Sequence, residues 1–290
     1  MQIVYHLGAH CTDEERLLKC LLRNRDALLQ QGISIPGPAR YRNLLRDTAI
    51  HLKGQPAPPE MQDTVLGEIL DGETPGRMVL SWENFLSYPQ WVLKDTLYPA
   101  AAERVRAFAN IFPDHQVEFH IALRNPAGFL PALFARQRGK SYEEFTAGID
   151  IFALRWSEVI DRIRRDNPDV PLTVWCDEDT PLIWPEVLRG VGGYAAETRI
   201  DGVDDLLASL LGQAGLERLK SYVAGRPNVD RQQLHRIVEV FLDKFVQPGA
   251  NEVDVDLPGW DQITIDDLTE IYDEDVALVA ARDDITFLTP

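Results

Sequence analysis

The feature that most restricts this chain is a series of short, mostly apolar runs set between stretches of helical periodicity. Such runs occur at residues 3–7, 77–81, 117–123 and 172–175. A strand that is apolar at consecutive positions is buried on both faces. Strands of that kind alternating with helices specify an α/β fold, with a mostly parallel central sheet flanked by helices. Ligands of such sheets sit beyond the carboxyl ends of the strands. The segments that carry chemistry should therefore begin at Gly8, Trp82, Arg124 and Cys176.

Between these runs the leucines from Leu17 to Leu29 recur at helical spacing, which predicts one long amphipathic helix ending at Gly32. Residues 32–36 read as a short strand or extended turn, and helices are expected at 43–53, 61–70, 100–111 and 151–165. Another is expected at 126–138, where Pro126 suits the first turn. Beyond about residue 201 the pattern turns helical, at 203–211, 216–223, 230–245 and 265–281, with a late strand at 285–288. The expected organisation is an α/β core over 1–200 and a mostly helical extension over 201–290 packed on it.

Composition narrows the partners. Forty-six acidic residues against 29 basic ones give a net charge of −17. That charge repels nucleic-acid backbones and anionic lipid surfaces, so neither is an expected partner. Three cysteines without a CxxC pair suggest neither a disulfide framework nor a zinc site. No apolar run approaches a membrane span, and the chain enters a strand without a basic-then-apolar leader. A reducing, cytoplasmic setting is the expectation.

The first strand is followed by Gly8-Ala-His-Cys-Thr-Asp-Glu-Glu15 and then a helix, the parts of a phosphate-binding loop. Residues 5–10 (Tyr-His-Leu-Gly-Ala-His), 80–85 (Leu-Ser-Trp-Glu-Asn-Phe) and 123–126 (Leu-Arg-Asn-Pro) follow in order. Over roughly residues 1–180 they resemble the bacterial sulfotransferase family. The resemblance implies a P-loop-like α/β fold and transfer of a sulfuryl group from 3′-phosphoadenosine-5′-phosphosulfate to a hydroxyl of a carbohydrate or small-molecule acceptor. Donor contacts would fall to Gly8, Thr12 and, for the 3′-phosphate, Arg124. Glu83 would be the base, and His10 would stand in for the missing lysine.

The family loop has the form Gly-x-His-Lys-Thr-Gly-Thr-Thr. Here Gly8, His10 and Thr12 match, but Cys11 stands at the lysine, Asp13 at the second glycine, and Glu14 and Glu15 at the threonines. The serine expected eight residues after the arginine is Ala132. Arg136, Arg138 and Lys140 lie nearby as a possible substitute, with a solvated helix end as the favoured reading. Thr12 and Glu15 have the spacing of a capping box, which would fill the anion site with the protein's own carboxylates. The expectation is a sulfotransferase-like protein degenerate in donor binding, either non-catalytic or repurposed for a ligand or protein partner. No cofactor is firmly expected unless the transferase is active.

Three other constellations are weaker. His6 and His10 with Cys11 have the chemistry of a metal or thiol site, but the adjacent acids would blunt a thiolate. Asp177-Glu-Asp179 at a strand end has the types to hold Mg²⁺ or to move a proton, although solvated carboxylates are commoner. Trp82, Trp91, Trp156, Trp175 and Trp184 suit a cleft lining or, more simply, the core.

Overall fold

The computed structural model describes residues 1–137, 139–226, 228–250 and 257–290. Strand β1 (Gln2–His6) leads through α1 (Arg16–Arg23) and α2 (Arg25–Leu29) to β2 (Ile33–Ser34). Helices α3 (Pro38–Leu52) and α4 (Pro59–Leu70) precede β3 (Arg77–Ser81). A small hairpin, β4 (Leu93–Lys94) and β5 (Thr96–Leu97), and α5 (Ala101–Ala109) separate β3 from β6 (Gln116–Leu123). Helices α6 (Pro126–Ala135), α7 (Tyr142–Thr146) and α8 (Trp156–Asp166) lead to β7 (Leu172–Cys176). Then come α9 (Thr180–Gly192), α10 (Asp205–Ala224), α11 (Arg231–Phe245), α12 (Gln262–Ala280) and β8 (Thr286–Leu288).

The sheet has six strands in the order β2-β3-β1-β6-β7-β8, and every pairing in it is parallel. The expected α/β architecture is therefore present. Alternate residues of β1 face opposite layers. Ile3 and Tyr5 enter a cluster with residues of α3, α5 and α8, and Val4 enters one with α1 and α9. Tyr5 stacks on Phe119 at 5.3 Å and meets Phe85 edge-on at 5.1 Å. Each such buried ring contributes about 2 kcal/mol or more. The chain leaves β1 toward β2 and β3 and returns past it to β6. Loops after β1 and β6 thus diverge, leaving the crevice in which α/β sheets bind ligands.

Because β2 pairs only with Arg77 and Met78, the end of β3 lies at an open edge. The buried Tyr41 hydroxyl closes it, donating to Ser81 O at 2.7 Å and accepting from Ser81 N at 3.0 Å.

Several helices differ from the periodicity. The long first helix is two, because the buried Asn24 amide turns aside to bond Cys20 O at 2.8 Å and Asp201 O at 2.9 Å. The segment 151–165 is a single 3₁₀ turn, Ile151–Ala153, followed by α8. Helix α6 stops at Ala135, and Arg138 lies outside the described residues. Helix α9 was not expected, since Pro181 and Pro185 interrupt its pattern. The two helices read at 203–223 are one run broken at Gly212, whose φ is 67° and ψ is 165°. Among the described residues no helix is long and apolar enough to cross a membrane.

Helix α8 starts without a cap of its own, after Arg155 in extended conformation. Its first N–H groups are met by Asp275 of α12, which is 3% exposed. Trp156 N donates to Asp275 Oδ2 at 2.6 Å and Ser157 N at 3.1 Å, while the Ser157 hydroxyl bonds the other oxygen. Asp275→Ala strands these donors, and urea unfolding should show a loss of about 2 kcal/mol. A loss below about 0.5 kcal/mol would mean that the cap is not needed.

Candidate functional site

The backbone ladder continues past β1 and pins its loop to β6. Leu7 N donates to His120 O at 2.8 Å, Ala122 N to Gly8 O at 2.6 Å, and Ala9 N to Ala122 O at 3.1 Å. Gly8 has φ of +94°, and a Cβ there would stand 3.2 Å from Glu83 Cβ. Both facts require glycine. Cys11, Glu14 and Glu15 then take left-handed conformations with φ of 59°, 49° and 64°. Each costs on the order of 1 kcal/mol for a residue with a Cβ.

The side chain that meets the start of α1 is Asp13. Its Oδ2 accepts from Leu17 N at 3.0 Å and its Oδ1 from Glu15 N at 3.3 Å. Arg16 N also donates to Asp13 O at 2.8 Å. The expected Thr12–Glu15 capping box does not form. Thr12 lies too early for a helix that begins at Arg16, and its hydroxyl donates to Ala9 O at 2.8 Å. Glu15 turns outward and pairs with Arg42 at 2.8 Å, and Glu14 lies 3.8 Å from Arg16. The acids do close the helix start, as the sequence suggested, but one residue performs the task.

His10 is fully buried and has no free nitrogen. Its backbone N–H donates to the Tyr98 hydroxyl at 3.1 Å, and that hydroxyl lies 2.8 Å from His10 Nδ1, to which it donates when Nε2 carries the hydrogen. Nε2 faces an acceptor, Asn84 Oδ1 at 3.2 Å, which places the hydrogen there. Burial lowers its pKa and keeps it neutral. The Cys11 thiol is pushed up to about 11, mainly by burial, so it is no nucleophile at neutral pH. Among the described residues no group of three or more His, Cys, Asp or Glu is placed to hold a metal.

Glu83 lies in a cavity of about 380 Å³ with His6, Trp82, Arg42 and Asp13. Both its oxygens accept from Arg136 Nη1 at 2.8 Å. Arg136, exposed at the C-terminal end of α6, is thus also the ion-pair partner of Glu83. Lys140 is exposed. Arg124 bonds Cys11 O through Nη1, and its Nε stands 4.0 Å from Asp177 Oδ2. Of the tryptophans, Trp156, Trp175 and Trp184 are core residues, whereas Trp91 is 55% exposed.

A larger cleft, of about 630 Å³, opens beside the same loop at the ends of β1, β6 and β7. Its polar lining includes Cys11, Thr12, Asp13, Arg124, Asp177 and Glu178, and its apolar lining is Trp184, Leu206, Leu210 and Leu242, which pack in one cluster. Sequence reasoning pointed to Asp177 by its place after a strand but had no signal for the apolar wall, which comes from α9, α10 and α11. Glu178 is engaged on both oxygens, by Asn125 N at 2.8 Å and the Tyr272 hydroxyl at 2.9 Å. Burial pushes the Asp177 carboxyl up to about 7, with Glu178 and Asp13 adding to the rise and Arg124 opposing it. A carboxyl half-protonated near neutral pH in a cleft is a group able to exchange protons with a ligand. No protein-family model, curated protein or solved structure matches this chain.

The raised Asp177 pKa has a signed consequence. Between about pH 4 and 7 the folded state holds a proton that the unfolded state has released, so this contribution is complete below the unfolded pKa and is lost as pH rises to 7. The loss amounts to roughly 4 kcal/mol across the window. Asp177→Asn should remove that slope. In urea unfolding the variant should match the parent near pH 4 and exceed it at pH 8.

Proposed function

We propose that this chain is a sulfotransferase-like protein whose donor seat has been given up, and that it acts by binding a small ligand in the crevice at the ends of β1, β6 and β7. One observation carries the reading: the Asp13 carboxylate occupies the N–H groups at the start of α1 that a phosphate-binding loop would offer to its anion. A phosphosulfate brought within 4 Å of that carboxylate is opposed by about 4 kcal/mol at intermediate dielectric, or roughly a thousandfold in affinity. The residues present do not fit 3′-phosphoadenosine-5′-phosphosulfate. No lysine stands at the loop, His10 has both nitrogens engaged, and Arg124 is turned to Cys11 O.

Titration calorimetry with adenosine 3′,5′-bisphosphate tests this directly. The parent should show no binding below about 1 mM, and the double variant Cys11→Lys, Asp13→Gly should gain measurable affinity. Micromolar binding by the parent would overturn the proposal.

The rival is an active sulfotransferase with Glu83 as base. In its favour, Glu83 stands over Gly8 in a cavity walled by Trp82. Against it, Arg136 holds both carboxylate oxygens. Under the rival, Glu83→Gln abolishes sulfuryl transfer to hydroxyl acceptors without loss of folding. Under the present reading the parent has no such transfer to lose.

A further inference from the structure

We propose that the 630 Å³ cleft takes an amphipathic primary amine, its ammonium group against Asp177 and its aliphatic body against Leu206, Leu210 and Leu242. The inference rests on the reading that this crevice is not a donor-nucleotide site, and it names the class of ligand that replaces one.

The first support is the partnering of the polar side. Asp13 is spent on backbone N–H groups and Glu178 on Asn125 N and the Tyr272 hydroxyl. Glu14 faces Arg16 at 3.8 Å, and Arg124 is held by Cys11 O. Asp177 alone among these acids has neither a hydrogen bond nor a cation closer than 4.0 Å among the described residues, and its side chain is 20% exposed. An ammonium has three donors and no acceptor, which suits a carboxylate that accepts no hydrogen bond among the described residues and whose cation, Arg124, stands 4.0 Å away. Four acids against two arginines also leave the polar side net negative, so an anionic head is disfavoured.

The second support is the apolar wall. Trp184, Leu206 and Leu210 are each less than 10% exposed and stand together with Leu242. The wall is also fixed in place. At Gly212 helix α10 breaks, and its freed carbonyls are taken by Gln247, whose N donates to Leu210 O at 2.8 Å and whose Nε2 donates to Leu211 O at 3.1 Å. A Cβ at Gly212 would stand 3.2 Å from Gln247 Nε2, so the break and its clasp require glycine. The leucines before the break therefore form a preformed surface for a hydrocarbon chain.

The groups that face Asp177 are Arg124 at the end of β6, Asp13 and Arg16 from the β1 loop and α1, and Glu178 beside it. With Asp177 titrating near 7, amine binding should strengthen between pH 6 and 8.

Titration calorimetry on the full chain with three probes of equal tail length, octylamine, 1-octanol and octanoate, tests the proposal. At pH 8 octylamine should bind at least about tenfold more tightly than either of the others. Asp177→Asn should reduce that preference to less than about threefold. Leu242→Ala should weaken octylamine and octanol alike. Equal or tighter binding of octanoate, or an amine preference that survives Asp177→Asn, overturns the proposal. Failure here with no binding of adenosine 3′,5′-bisphosphate sinks only the ligand class, whereas tight binding of the nucleotide sinks the reading beneath it.

Discussion

A helix that begins at the carboxyl edge of a parallel sheet presents unpaired N–H groups to a crevice, and something negative has to meet them. In this protein that charge is covalently part of the chain. Asp13 takes the N–H groups of Glu15 and Leu17, and the conformation of the whole loop follows from its doing so. Cys11, Glu14 and Glu15 adopt left-handed backbone around it. Glu15 is thrown outward to Arg42, and Thr12 is left to close back on Ala9. A loop organised by its own carboxylate has its helix N–H groups met from within the chain.

The architecture was legible because burial on two faces leaves a plain mark. The runs at 77–81, 117–123 and 172–175 are mostly apolar, with Glu118, His120 and Thr173 the polar residues inside the last two, and the sheet has strands at each. Helix breaks were less legible, because a local rule decides them only when a distant partner is known. Asn24 ends α1 because Asp201 lies beside it, and α8 begins where Asp275 reaches it. Helix α9 escaped detection for the opposite reason: Pro181 and Pro185 carry strong local signals against a helix, which tertiary packing of Val187, Leu188 and Val191 overrides.

The candidate site was half legible. Its polar members lie on loops that the strand ends identify, so Gly8, Glu83, Arg124 and Asp177 could be named from position alone. What each of them touches could not. The pairing of Glu83 with Arg136 and the burial of both His10 nitrogens depend on distances between elements far apart in sequence. The apolar side of the cleft is supplied by three helices that carry no motif at all.

The Asp275 clasp on α8 bears on the order of events when the chain folds. The two partners are 119 residues apart in sequence. Closing a loop of that length costs on the order of 4 kcal/mol in chain entropy, before any contact repays it. Helix α8 has no local cap to hold its first turn in the meantime. Its amino end should thus be among the last parts of the molecule to become rigid, and among the first to loosen when α12 lifts away.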